Sequence, residues 1–485
     1  MNAQVVKLFG LVTLLFAVLI GFTSYWSVFD AEALKDKRVN KRPLLEAQQI
    51  RRGRILADDG TLIAKSIPKG HGEALRYVRR YPEGSLFGHP IGYSFVTQGD
   101  SEFEKYHNDE LIGNESEFTS ILDELQGGKQ EGNDIVTSID PAAQRLALDE
   151  LSAVGFGSVV AIEPQTGRVR VLASNPPYDP NRVPEHLDQL NTDPTSPLLD
   201  RGTQGQYPPG STFKVVTAAA ALDSGTITPD TLINSPGTLD VQGQPLQNDF
   251  TQDFGSIGLD TALTNSVNTF FAQLGVKVGE DTLLEYMDRF GFNQTPPIDL
   301  PSDQVYRSGI YDTATGRFLG PNDPIDLARV AIGQERLVAT PLQMAMVAAA
   351  IANGGREMKP QIWNRVVDPD GRVTKRMSPS EIGQPISEQT AAELNTAMQG
   401  VVSGGTGTNA AIPGVAVAGK TGTAETPFNK SCGGGTDENQ AWFIGFAPAE
   451  DPKIAIAATV ECTTAFGNDV AAPIFRDVAE SLLNG

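Results

Sequence analysis

The sequence predicts a large α+β or mixed α/β body that follows one N-terminal membrane helix and a small intervening domain. Three observations carry this. Leu8 to Phe29 is free of charge, Pro68 to about Asn133 is rich in Gly, Glu and Asp with short apolar islands, and from Asp134 paired strand patterns alternate with helical ones. The chain therefore divides into a cytoplasmic stub at 1–7, an anchor at 8–29, a pedestal domain at 30–133 and a main domain at 134–485.

The anchor run exceeds the roughly 20 residues that span hydrocarbon as helix. Tyr25 and Trp26 stand near its outer end, where interfacial aromatics belong. A cleaved signal peptide is the rival reading, but its apolar run is about 7–15 residues and ends in a small-residue cleavage site not found here. Lys7 precedes the helix while Lys35, Lys37, Arg38, Lys41 and Arg42 follow it. Charge counting alone would point the body inward, yet a long domain is translocated largely regardless of charge.

At 485 residues there is room for a large core, and 20% charged residues is too few for wholesale disorder. Lys and Arg number 38 against 59 Asp and Glu, and the net charge of -21 argues against a nucleic-acid partner. Four His and two Cys cannot furnish a Cys-rich zinc module or a disulfide scaffold, so the chemistry rests on other side chains.

Within the pedestal, Arg51 to Ser66 reads as a hairpin around Asp59-Gly60. His71, His89 and His107 have no second ligand at metal spacing and read as surface or packing residues. In the main domain Pro141 to Leu151 opens a helix, Ser158 to Ile162 and Val169 to Ala173 pair around Gln165-Thr166-Gly167, and Thr217 to Leu222 continues an Ala-rich helix. Pro341 to Asn353 is a buried helix stopped by Gly354-Gly355. Val415 to Ala424, Ala441 to Ala447 and Ile454 to Val460 are consecutive strands, and Pro473 to Leu483 is a closing helix.

Three short motifs carry chemistry. In Tyr207-Pro-Pro-Gly-Ser211-Thr-Phe-Lys214, the Pro-Pro-Gly stops a preceding helix and Ser211 starts the next, which returns Lys214 to the same face three residues on. A serine hydroxyl is a weak nucleophile until a base holds its proton, and a lysine serves if burial or a neighbouring cation lowers its pKa. Taken singly, a Ser cap beside a solvated Lys is the commoner meaning of S-x-x-K. In Ser266-Val267-Asn268, the hydroxyl can relay a proton and the amide can hydrogen-bond a peptide; helix capping is the plainer account. In Lys420-Thr421-Gly422-Thr423, the strand offers a cation, hydroxyls and a glycine that lets a substrate backbone pair closely. The alternative is a Gly-bearing strand with a solvated lysine.

Gly414 to Thr421 also fits the phosphate-loop pattern G-x-x-x-x-G-K-[S/T]. That pattern needs a preceding strand and a helix opening at the Lys, whereas Pro413-Gly414 precedes it and Gly422 breaks any helix.

S-x-x-K, S-x-N and K-T-G in that order match the motif set of penicillin-binding proteins and class A β-lactamases. The chain resembles the class B penicillin-binding proteins well beyond these motifs, in RRGRILADDGTLIA, SIDPAAQRLALDEL, AIEPQTGRVRVLAS, QYPPGSTFK, VAIGQERLVATPLQMAMVAAAIANGG and AGKTGTAETPFNK before AWFIGFAP. The segment ahead of the main domain is similar to that of actinobacterial elongation-type members.

The resemblance implies an α+β, penicillin-binding, serine β-lactamase-like transpeptidase fold, an antiparallel sheet flanked by helices, and a peptidoglycan D,D-transpeptidase that β-lactams acylate. It implies Ser211 as nucleophile, Lys214 as base, Ser266 as proton relay, Asn268 as a substrate-amide contact and Lys420 as an electrostatic group. Thr421 and Thr423 would receive the substrate carboxylate beside Gly422, and the backbone N–H groups of Ser211 and Thr423 would form the oxyanion hole. No cofactor or metal is implied. The expected partners are peptidoglycan stem peptides, β-lactams and a membrane glycosyltransferase of the shape, elongation, division and sporulation group, with the main domain outside the cell. Two departures from the family pattern, Val267 inside S-x-N and Gln334-Glu335 in place of Gln-Gly, read as tuning, and the Ser266-Val267 step is a spot where substrate or antibiotic preference could shift.

The rivals are a D,D-carboxypeptidase with water as acceptor, a β-lactam sensor and a non-catalytic scaffold. A Ser-His-Asp hydrolase finds only His186 in the main domain, and no E-x-x-x-N between Ser266 and Lys420 supports a class A β-lactamase. If the last three strands form an antiparallel meander, Cys432 and Cys462 become neighbours at one sheet end, either bridged beside the active site or left as two thiols.

Overall fold

The structure is a computed structural model that describes residues 2–25, 49–114, 131–241, 243–312, 315, 317–319, 323–425 and 439–485. Helix α1 (Asn2–Ser24) contains the stretch Gln4–Thr23, of mean hydropathy 2.5, which is long and apolar enough to cross a membrane and is not buried against the protein. Residues 26–29 of the expected anchor, Trp26 included, lie outside the described residues.

Strands β1 (Ile55–Leu56) and β2 (Leu62–Lys69) form a hairpin closed by Gly60 at φ 90, and β3 (Arg76–Arg80) extends it. Strand β4 (Asp134–Thr137) joins β1 in parallel. Asp140 then caps α2 (Pro141–Val154), its side chain accepting from the Ala143 N–H, with Pro141 in the first turn where a missing N–H costs nothing. Strands β5 (Gly157–Ile162) and β6 (Val169–Asn175) follow as an antiparallel pair around Gly167 at φ 77.

Helices α3 (Lys214–Asp223), α4 (Leu259–Thr264) and α5 (Asn268–Val278) carry two of the motifs. Helix α6 (Pro341–Ala352) is buried on all sides through Ile351, as its Ala, Met and Val composition requires. Strands β7 (Trp363–Val367) and β8 (Val373–Arg376), helix α7 (Glu388–Gly404), strands β9 (Ala418–Glu425), β10 (Asn439–Ala447) and β11 (Ile454–Thr463), and helix α8 (Gly467–Asn484) complete the chain. Helix α8 starts six residues ahead of the expected Pro473, because the Asp469 carboxylate accepts from the Phe466 N–H at 3.3 Å and closes an earlier first turn.

The pedestal sheet has the order β8-β7-β4-β1-β2-β3, so the division expected between 133 and 134 does not separate two sheets. A two-residue β1 beside β2 and β3 would leave an open edge; β4 and the returning 363–376 hairpin cover it. Two of the pedestal histidines pack against the main domain. His89 is buried 2.9 Å from Pro197 O and edge-on to Tyr178, and burial holds it down at about 4. His107 is buried 3.2 Å from Asp299, while His71 is exposed.

The main sheet, β9-β10-β11-β5-β6, is antiparallel throughout. Helices α2 and α8 pack on it together, and α6 packs on β11, β5 and β10 beside α7. One of its two edge strands is β9, which carries Lys420 to Thr423.

Candidate active site

Ser211 stands in a short 3-10 turn, Gly210–Phe213, that runs directly into α3 at Lys214. Gly210, at φ 53, turns the chain out of Pro208-Pro209, and its N–H donates to Gly333 O at 2.9 Å. This turn is wedged against β9: a Cβ on Gly210 would lie 2.9 Å from Thr423 O. The lead-in is pinned as well. Trp442 Nε1 donates to Pro208 O at 3.0 Å, and the buried Glu461 carboxylate accepts from Tyr207 OH and Arg201 Nε, both at 2.6 Å.

Lys214 is fully buried, and its ammonium donates to Ser266 O at 2.7 Å, Ser266 Oγ at 3.2 Å and Asn268 Oδ1 at 2.6 Å. No carboxylate is among these partners. Burial first, and the Lys420 cation second, hold Lys214 well below the ordinary lysine range against the opposing pull of Asp249. Ser266 reaches the ammonium because its backbone, between α4 and α5, takes φ 55, a region that L-residues enter only when their surroundings enforce it. Asn268 is engaged at both ends, since its Nδ2 donates to Gln247 O at 3.0 Å.

Val267 points the other way. It is 1% exposed and packs into the core, so the Ser266-Val267 step presents Ser266 to the site and not the valine side chain. Glu335, in contrast, sits at φ 67, which explains why a glycine suits that position.

On β9, Lys420 is also fully buried, with Nζ donating to Thr421 O at 3.1 Å, and burial brings it down to about 7 against Asp249. A lysine in mid-strand cannot open a helix, which removes the phosphate-loop reading. Thr421 and Thr423 project from the opposite face to Lys420 and Gly422 by strand alternation. Thr421 Oγ1 is 2.7 Å from Thr406 Oγ1, and Thr423 Oγ1 accepts from the Gly467 N–H at 3.3 Å. Gly422 is also needed for packing. A Cβ there would meet Thr212 Cγ2 at 2.8 Å and Pro209 O at 2.9 Å, so the missing side chain makes room for the Ser211 turn itself.

The fold thus gathers three segments distant in sequence around two buried lysines. Three further residues had no motif to mark them. Asp249 lies in an exposed loop, and Arg201 and Glu461 form a buried ion pair whose one sequence signal is the lone charge in the apolar run IAIAATVE. Cys462, at the end of β11, is disulfide-bonded; Cys432 lies outside the described residues.

A family model described as penicillin binding protein transpeptidase domain matches residues 157–480, and one described as penicillin binding protein A dimerisation domain matches 52–135. The chain belongs to the penicillin-binding protein transpeptidase family. Family relatives include the peptidoglycan D,D-transpeptidase PbpA of Mycolicibacterium smegmatis, 33% identical over 512 residues with both chains covered in full. PbpA of Mycobacterium tuberculosis is likewise 33% identical over 516 residues. Among solved structures, penicillin-binding protein A from M. tuberculosis as a ceftriaxone acyl-enzyme complex superposes with TM-score 0.80 at 32% identity, over 90% of this chain and 100% of that one. The D,D-transpeptidase domain of an Eggerthella lenta peptidoglycan glycosyltransferase gives TM-score 0.77 at 34% identity, over 90% and 99%.

Proposed function

We propose that this chain is a membrane-anchored peptidoglycan D,D-transpeptidase that works through an acyl-serine intermediate and is inhibited by β-lactams. The observation that carries the reading is the Lys214 ammonium, stripped of water, beside Lys420 and without a carboxylate partner. A lysine so placed gives up its proton readily and can take one from a hydroxyl.

Ser211 attacks the carbonyl of the penultimate D-Ala, Lys214 takes the hydroxyl proton, and Ser266 passes a proton to the departing D-Ala amine. The Ser211 and Thr423 N–H groups meet the tetrahedral oxyanion. Thr421 and Thr423 bind the terminal carboxylate with Lys420 behind them, and Asn268 binds the donor amide by exchanging its link to Gln247 O. The donor backbone pairs along β9, an edge strand of its sheet. The acyl group then passes to a neighbouring stem's amine. The main domain works outside the cell, beside a membrane glycosyltransferase reached through the anchor and pedestal, and Cys462 is bridged to Cys432.

Labelling with a fluorescent penicillin tests the nucleophile: the wild type labels covalently, and equal labelling of Ser211→Ala refutes the assignment. Incubating the protein with a D-Ala-D-Ala-ended donor, with and without an acceptor amine, tests the reaction. Hydrolysis alone would make it a D,D-carboxypeptidase.

A further inference from the structure

The loop from Asn248 to Gln252 borders the site and has no part in the scheme above. It is fastened firmly. Asn248 is buried, with Nδ2 donating to Pro236 O at 3.1 Å and Gln252 O at 2.9 Å, and Oδ1 accepting from the Thr269 N–H at 2.9 Å. Its neighbour Gln247 accepts from Asn268, whose other end holds Lys214. Two residues beyond Gln247 comes Asp249, the anion whose charge acts on both Lys214 and Lys420.

What this rigid anchorage presents is costly. Phe250 is 93% exposed, and both Phe250 and Thr251 are held in the left-handed region, at φ 55 and φ 51. Such backbone at non-glycine residues is destabilising and gathers where it serves a ligand. A bare aromatic residue next in the chain to an exposed carboxylate offers both halves of what an alkylammonium group needs, apolar along its stem and cationic at its end. The second substrate of the proposed reaction has that chemistry. The Lys420 cation behind the donor carboxylate repels such an ammonium, so the site needs a compensating anion.

Resting on the transpeptidase reading, we propose that Asp249 and Phe250 form the acceptor site, where the Asp249 carboxylate holds the ammonium of an aliphatic primary amine and the Phe250 ring packs on its alkyl stem. The bound ammonium releases one proton to water. Its lone pair attacks the ester carbon of acyl-Ser211, the carbon–Oγ bond breaks with its electron pair going to Oγ, and the remaining surplus N–H proton passes through Lys214 to Ser211, leaving a neutral amide.

Partitioning of one acyl-enzyme between two acceptors tests this in the full-length protein. A stem peptide with a free side-chain amine competes with hydroxylamine, which is uncharged near neutral pH and lacks an alkyl stem. Asp249→Asn should lower the ratio of peptide to hydroxylamine product about fivefold, the weight of an exposed ion pair. Asp249→Glu should recover most of it, and Phe250→Ala should lower the ratio for the stem peptide more than for glycinamide. Because both products come from the same acyl-enzyme, changes in acylation rate cancel. A ratio unchanged in both Asp249→Asn and Phe250→Ala overturns the acceptor site alone. A wild type that labels with penicillin yet transfers to neither acceptor overturns the transpeptidase reading and this inference with it.

Discussion

Tyr207 donates its hydroxyl to Glu461 at 2.6 Å, a contact that ties the segment presenting Ser211 to the far end of β11. Arg201 completes the arrangement, its Nε on the same carboxylate and its guanidinium over the Phe156 ring at 5.3 Å. The turn carrying Ser211 is therefore positioned by a buried charge pair well outside the motif that names it.

Removing Glu461 leaves the Arg201 guanidinium buried without its anion. Glu461→Ala should lose about 3–5 kcal/mol of stability, and Tyr207→Phe about 1.5–3 kcal/mol, the worth of one hydrogen bond to a charged group. Urea denaturation reads both. Labelling by fluorescent penicillin at a temperature where Glu461→Ala remains folded should be slower than wild type.

The two lysines give a pH dependence with a definite sign. Both release their protons more easily in the folded protein than in the unfolded chain, Lys420 at about 7. The unfolded state thus binds more protons above that pH, and stability should rise from pH 7 toward pH 9. Acylation should rise with pH as Lys214 becomes neutral. Lys420→Gln removes the cation that pushes Lys214 down, so the rising limb of the acylation profile should move to higher pH; a limb that stays in place or moves to lower pH contradicts this coupling.

Gly422→Ala places a methyl group 2.9 Å from the Pro209 carbonyl, where backbone must give way. Overpacking of this kind costs roughly 1–3 kcal/mol. Acylation of Ser211 should fall at least tenfold, since the displaced element is the turn that bears it. A thermal melt together with the rate of penicillin labelling checks both parts.

Unreduced protein should contain no alkylatable thiol. Cys462 is bonded, and the chain has two cysteines. Intact mass after iodoacetamide, with and without reductant, should differ by two carbamidomethyl groups; two thiols reacting without reductant would contradict the bridge.

Much of the site was legible because its chemistry is written locally. Ser211 and Lys214 are three apart on one turn, the Lys420–Thr423 segment shows the composition of a strand that others approach closely, and Pro341, Pro141 and the Asp59-Gly60 pair mark element ends through their own backbone preferences. What stayed hidden depends on which face a residue turns to. Val267 is buried while its neighbours Ser266 and Asn268 meet Lys214, and Gly422 serves the Ser211 turn behind it, because burial is set by partners distant in the chain.

The sequence by itself determined the apolar first helix, the strand meander, the order of the three motifs and the family they indicate, since each follows from periodicity, turn chemistry or spacing along the chain. Only the tertiary structure decided that the pedestal sheet borrows strands from beyond residue 360, that Glu461 holds Tyr207 and Arg201, and that Asn268 joins Lys214 to the strand end at Gln247. Those relations join residues whose separation in sequence carries no physical signal. Their energy comes from desolvation and charge, which exist only once the segments have met.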